Sequence, residues 1–257
     1  MNEGLALGCF PAMPHNTYIR VCLYDTPQKF LIGLSMARRT KEEALETREQ
    51  LLDAAERVFR ERGVGHASLA EVADAAGVTR GAVYHHFESK AELFQALMAR
   101  AEMPIDSAFE NFEDQDIADP LALFRQQGLQ ALEHLTSCPR VQNVFEVLFL
   151  RCEYTDELAE VGEQHVQDRF RCLAKCQAVL DQAVVKGQLP ADTDTHLAAT
   201  GAFAFVGGLM RDWVESPQSF DLKAAAPQLI DTYIAGLRVC PPRRTESPKD
   251  LTEIRTQ

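Results

Sequence analysis

The chain has 257 residues, 46% of them hydrophobic, which is enough apolar material to build a proper core in one or two domains and excludes a disordered or fibrous chain. A net charge of −12 argues against a polyanionic partner unless it is unevenly spread, and it is: residues 36–90 hold nine Lys and Arg against ten Asp and Glu, so nearly all the excess acid falls in 91–257. The longest apolar run, around Ala198 to Met210, contains Thr200 and three glycines, short of the roughly 18 residues of a membrane span.

Residues 1–35 contain Pro11, Pro14 and Pro27, show no sustained period, and place an apolar patch, Phe30 to Leu34, just before Met36-Ala37-Arg38-Arg39. A secretory signal carries its positive charges ahead of the apolar stretch, so the order is wrong for export. Seven cysteines, an odd number, fit a reducing, cytoplasmic compartment without disulfides. The segment reads as a disordered or non-native extension with Met36 as the natural start, and residues 241–257 read as a flexible tail.

The first helix buries Leu51, Leu52, Ala55, Val58 and Phe59 along one side and ends at Gly63. Glu42, Glu43, Glu46, Glu49 and Asp53 crowd it, whereas Arg38, Arg39, Lys41 and Arg48 gather at its start. Those cations form either an arm for phosphates and the minor groove or a solvated charged start, and the sequence leaves both open. Ser68 and Glu71 then stand in capping-box spacing before Leu69, Val72, Ala73 and Ala76, a short amphipathic helix closed by Gly77. Thr79 caps the next helix, which buries Val83 and Phe87. Two helices joined by so short a Gly-containing turn make a helix-turn-helix. Ser89 and Glu92 repeat the capping box and open a third helix whose Leu93, Phe94, Leu97 and Met98 point inward.

The outward face of the second helix of the pair carries Thr79, Arg80, Gly81, Tyr84 and His85, with no acid among them, which suits phosphates and base edges. N-terminal residues of such a helix meet the bases in the major groove, so Arg80 is the candidate for a bidentate guanine contact. Gly81 lets the backbone approach, and Thr79, Tyr84 and Lys90 are placed for phosphates, with Ser68 and His85 completing the set. The plainer alternative makes Arg80 and His85 solvated and Tyr84 packing. His86 supports the core or a sugar-phosphate strand.

Everything from 104 to 240 reads as helix, so the fold class is all-α. Asp119 and Pro120 start a helix that Pro139 ends; others span Arg140–Cys152, about Thr155–Gly187, Asp194–Trp213 and Leu222–Val239, with Pro227 near the start of the last or at a kink. Ala199, Ala202, Gly207, Gly208, Ala224, Ala225 and Gly236 in the final pair permit close helix approach. Cys172 and Cys176, at i and i+4, read as small buried hydrophobes ahead of a metal or redox site. No nucleophile motif, metal-ligand spacing or Gly-rich phosphate loop is present, which argues against an enzyme, a cofactor or a bound metal.

Met36 to Phe94, with ARRTKEEALETREQLLDAAERVF and GVTRGAVYHHF, resembles the DNA-binding domain of the TetR/AcrR family of repressors, and LFLRCE at 148–153, LPAD at 189–192 and PQSFDLK at 217–223 resemble the ligand-binding half of AcrR-type regulators of multidrug efflux pumps. The resemblance covers about 36–242; the departures are the N-terminal extension, the short tail and scattered substitutions in the second half. It implies a helix-turn-helix domain at 36–88 and a helical ligand-binding and dimerisation domain at 89–240, with the last two helices forming a four-helix bundle in a homodimer. It also implies a chamber for hydrophobic small-molecule inducers, with lining expected from Phe112, Phe145, Phe149, Cys152, Phe170, Phe203 and Val206 and polar groups from Glu102 and His165. A carboxylate at Glu102, on the helix that begins at the DNA head, favours cations and gives a route for release. The function so implied is a ligand-released repressor of an efflux operon binding double-stranded operator DNA, without a membrane partner; the alternative is a regulator of the same type on another metabolic or stress operon.

Overall fold

The structure, a computed structural model, describes residues 29–101 and 116–244, with side chains from Lys41 onward. Among them the chain forms nine α-helices and one 3-10 turn, and the sole strand-like pairing is an isolated bridge between Thr193 and Arg243. The all-α expectation holds. The expectations for residues 1–28, for Glu102 and Phe112, and for 245–257 lie outside the described residues.

Helix α1 spans Lys29–Arg62, so it passes through Met36 unbroken, and Arg38 and Arg39 lie within it and not at its start. Their side chains are outside the described set. The chain divides into two units between Ala44 and Leu45. The described residues of the first are the helical stretch from Lys29, with Lys41, Glu42 and Glu43 exposed. The second, from Leu45 onward, holds the rest of the fold.

From Leu51 the apolar positions recur every three or four residues, and Leu51, Leu52, Ala54, Ala55 and Phe59 are sealed from solvent. Gly63, at φ +82°, stops the helix in a conformation that other residues adopt only under strain. α2 (Leu69–Ala76) carries the full capping box: the Ser68 hydroxyl accepts the Glu71 N–H at 3.3 Å and the Glu71 carboxylate accepts the Ser68 N–H at 2.9 Å. Gly77, at φ +69°, turns the chain into α3 (Arg80–His86), where Thr79 Oγ1 accepts the Ala82 N–H at 3.3 Å. α4 (Lys90–Ala99) is capped by Ser89, but the second box is only half formed, because the Glu92 carboxylate takes the Glu88 N–H at 2.6 Å instead of that of Ser89. Leu93, Phe94 and Leu97 are buried and Met98 half-buried, and the Phe59 and Phe94 rings meet edge to face at 6.1 Å, tying α1 to α4.

The second half comprises α5 (Pro120–Ser137), α6 (Pro139–Leu150), a 3-10 turn (Asp156–Leu158), α7 (Ala159–Val185), α8 (Thr195–Glu215) and α9 (Leu222–Val239). Pro139 opens α6 as well as ending α5, so Cys138 alone separates the two helices. The first turn of the segment read as starting at Thr155 is 3-10, and α7 stops before Gly187 at φ +69°. α9 runs through Pro227. α5 packs on α7 and α9, α7 on α8, and α6 on α8. Glycine allows two close contacts: a Cβ at Gly128 would lie 3.0 Å from Ile230 Cδ1, and one at Gly201 would lie 2.8 Å from the Tyr233 hydroxyl, which donates to the Ala198 carbonyl at 2.9 Å. The small residues of the last pair thus divide. Ala199 and Ala202 are buried in this chain's own core, whereas Gly207, Gly208 and Gly236 have open space where a side chain would stand. One apolar cluster runs from Leu51 of α1 to Leu237 of α9.

Candidate functional site

α3 presents the predicted face. Val83 and Phe87 are buried, and Thr79, Arg80, Gly81, Tyr84 and His85 are all exposed. One turn apart, Arg80 Nη2 donates to the Tyr84 hydroxyl at 3.2 Å and its guanidinium sits 5.6 Å from the ring centre, and the hydrogen bond raises its pKa further. Burial lowers the pKa of His86, aided by the nearby charges of His85 and Arg48, so at neutral pH it stands uncharged between the His85 and Phe87 rings.

Three other residues expected on the DNA side are placed differently. Arg48 stacks its guanidinium 5.2 Å from the Phe87 ring centre, with Glu49 at 3.7 Å, so it braces the C-terminal end of α3. The Ser68 hydroxyl both accepts from the Glu71 N–H and donates to the Glu71 carboxylate at 2.9 Å, so it is occupied in the cap. Lys90 is the clear correction. It is 6% exposed, and its ammonium donates to the carbonyls of Gly65 at 3.1 Å and Ala67 at 3.0 Å and pairs with Glu157 at 2.9 Å. All three donors of the ammonium are engaged, so it is not free for a phosphate; a buried cation is stable only when paired in this way.

In the second half, Phe145 and Phe149 stand one turn apart on α6 with ring centres 5.2 Å apart, half-buried against the core, and Cys152 follows, its thiol pushed up to about 11 by burial. Phe203 and Val206 lie half-buried on α8, with the Arg169 guanidinium 5.4 Å from the Phe203 ring centre. Two expected lining residues fail on geometry. Phe170 is 58% exposed, because it follows the exposed Val166 by one turn along the solvent side of α7, whereas Cys172, Leu173, Cys176, Val179 and Leu180 face the core. His165 is also exposed and stacks on Tyr154 at 6.2 Å, on an open groove of about 680 Å³ with Gly162 and Val166. Phe170 and His165 therefore do not line an internal chamber with Phe145 and Phe149 in this chain. α4 closes at Ala99, with Arg100 as its cap; the expected route through Glu102 lies outside the described residues.

Sequence reasoning missed the contacts between the head and the helical half. The Arg60 guanidinium holds Glu146 at 2.7 and 2.9 Å, Asn143 donates to Glu56 at 2.6 Å, and the Val64 N–H donates to the Arg151 carbonyl at 2.9 Å. Arg60 and Glu146 are 86 positions apart, a separation that no local pattern reveals. It also missed Gln127, 6% exposed on α5, whose amide oxygen is buried without a hydrogen-bond donor among the described residues.

Residues 51–97 match the model of the bacterial regulatory proteins of the tetR family, and residues 119–239 that of the C-terminal region of MAATS-type transcriptional repressors. The HTH-type transcriptional regulator TtgR of Pseudomonas putida is 42% identical over 209 residues, 81% of this chain and 100% of its own length. The chain belongs to the TetR family of transcriptional regulators. Among solved structures, NalD, the secondary repressor of the MexAB-OprM multidrug efflux pump in Pseudomonas aeruginosa, superposes with a TM-score of 0.71 at 32% identity, over 77% of this chain and 99% of that one. A SmeT–triclosan complex gives 0.64 at 30% identity, over 80% and 99%. As a TetR-family member the protein is a DNA-binding regulator of transcription. Within the described residues, no helix is long and apolar enough to cross a membrane.

Proposed function

We propose that this TetR-family protein represses a multidrug efflux operon as a homodimer and leaves its operator when a hydrophobic or cationic small molecule binds the helical half. The observation that carries the reading is the pairing of an acid-free, exposed α3 face, led by the Arg80–Tyr84 pair, with a helical half that shares one continuous core with it. Supporting it, NalD is named as a repressor of an efflux pump and SmeT is seen with triclosan, each similar to this chain over at least three quarters of its length. The homodimer rests on family resemblance, on the open space at Gly207, Gly208 and Gly236, and on the exposed Leu197 and Val239 of the same two helices. Two copies of α3 about 34 Å apart would then meet successive turns of one DNA face.

The test is binding to the DNA upstream of the protein's own gene, followed by fluorescence anisotropy, with and without triclosan and tetraphenylphosphonium. Release by at least one compound, at concentrations that leave binding to a random duplex unchanged, supports the reading; saturating binding that neither compound weakens counts against efflux control and favours another operon. Glu102, a proposed pocket carboxylate, is tested by Glu102→Gln: calorimetry should show weaker phosphonium binding and unchanged triclosan binding.

A further inference from the structure

Among the described residues, the polar contacts between the reading head and the helical half fall on one stretch of chain, residues 143–157, beside which α4 also packs on α7. From α1, Glu56 meets Asn143 and Arg60 meets Glu146. At the α1 C-terminus, Val64 donates to the Arg151 carbonyl, and Gly63 lies so close to that oxygen that a Cβ there would stand 3.3 Å away. From α4, the buried Lys90 ammonium reaches Glu157 while its other two bonds hold the carbonyls of Gly65 and Ala67, in the loop between α1 and α2. The same stretch carries Phe145, Phe149 and Cys152, half-buried against the one core that the head and the helical half share. At 100° per residue, Phe145 projects about 160° away from Asn143 around α6. Phe149 lies only about 60° from Glu146, so this helix and the loop after it carry the contacts with the head and the aromatic pair on one short element.

We infer that Asn143, Glu146 and Glu157 are positioning residues which clamp the reading head to α6 and its following loop, and that a ligand disturbing Phe145 or Phe149 is felt at the operator through this clamp. The inference rests on ligand-released repression by this protein and names its transmission element. Coupling needs an element whose arrangement both sites bias. α6 qualifies because a small rotation of the helix that re-seats Phe145 and Phe149 also moves Glu146 against Arg60. The Lys90–Glu157 pair adds a second, independent anchor, and because Lys90 also holds the loop leading into α2, its position bears on the helix-turn-helix itself. Glu146 and Glu157 bond to Arg60 and Lys90, and not to the exposed α3 face or the Phe145–Phe149 pair, so they act through others.

The experiment uses the full chain with Glu146→Gln and Glu157→Gln, singly and together, and reads the coupling ratio: the Kd for triclosan with operator bound, divided by that of the free protein. The double variant should lower this ratio about fivefold or more, a change at the lower end of usual allosteric couplings, while the free-protein Kd for triclosan stays within about twofold. The charge-swapped pair Arg60→Glu with Glu146→Arg should recover coupling that Arg60→Glu alone loses. A merely structural role would lower the melting temperature and leave the ratio intact. An unchanged ratio in the double variant, or a swap that fails to restore it in a folded protein, overturns the clamp. Failure of the wild type to release the operator with either compound is a different result, since it overturns the functional reading before any variant is compared.

Discussion

Arg80 Nη2 lies 3.2 Å from the Tyr84 hydroxyl, one turn along α3, with the guanidinium over the phenol ring. The pair is at the surface, so it contributes little to stability, and its consequence is order: the hydrogen bond fixes the guanidinium against Tyr84 on the exposed face of α3. Arg80→Ala should weaken binding to the specific operator by about 1–3 kcal/mol and leave random-duplex binding nearly unchanged. Tyr84→Phe, which removes the hydroxyl and keeps the ring, should cost less. Anisotropy titrations on both duplexes decide it, and equal losses on the two for Arg80→Ala would remove Arg80 from base reading.

Lys90 gives the opposite expectation. A phosphate-binding lysine lowers the salt slope by about one when removed. Here the ammonium closes three interactions in a buried site, so Lys90→Met should leave the slope of log Kd against log salt unchanged and lower stability by about 1–3 kcal/mol, the usual cost of stranding buried acceptors. Urea denaturation and a salt series of DNA titrations measure the two arms. A slope reduced by one in a variant of wild-type stability would return Lys90 to the DNA.

The head is legible in the sequence because its signals are local. Ser68 to Glu71, Gly77, Thr79 and the Val83–Phe87 spacing each specify a cap, a turn or a face within a few residues, and each forms as read. The same local logic fails at Lys90 and Glu92. A helix N-terminus looks the same in sequence whether its first lysine meets solvent or the carbonyls of Gly65 and Ala67, 25 and 23 residues away. In the helical half, the family resemblance implies a chamber but not which aromatic residues face it, and Phe170, expected in its lining, is exposed along the solvent side of α7. The contacts of Arg60 and Lys90 with residues 146 and 157 depend on tertiary placement alone.

Gln127 places an amide oxygen in the core of α5 without a donor among the described residues. Stranding a buried acceptor costs roughly 1–3 kcal/mol, and an apolar group of similar shape removes that cost. Gln127→Leu should therefore stabilise the protein, raising its melting temperature by about 2–4 °C per kcal/mol gained. A drop in melting temperature, measured by circular dichroism, would show that the amide is satisfied and that the oxygen is held by a group in the folded protein.

Burial pushes the Cys152 thiol up to about 11 from an ordinary 9.0, with the charge of Glu153 adding to the effect. The native state thus prefers the protonated thiol. Its contribution to stability is fully present below pH 9 and is lost as the pH rises from about 9 to about 11, because the unfolded chain ionises first and gains from doing so. Cys152→Ala should make the decline in stability between about pH 8.5 and pH 10.5, followed by urea denaturation, shallower than in the wild type. The same shift predicts chemistry: at pH 8 only about one Cys152 in a thousand is thiolate. Exposed Cys240 should therefore be alkylated by iodoacetamide well before Cys152, as followed by mass spectrometry of peptides. Equal labelling rates at pH 8, together with parallel stability profiles for wild type and variant, would show that the Cys152 environment is as wet as that of Cys240.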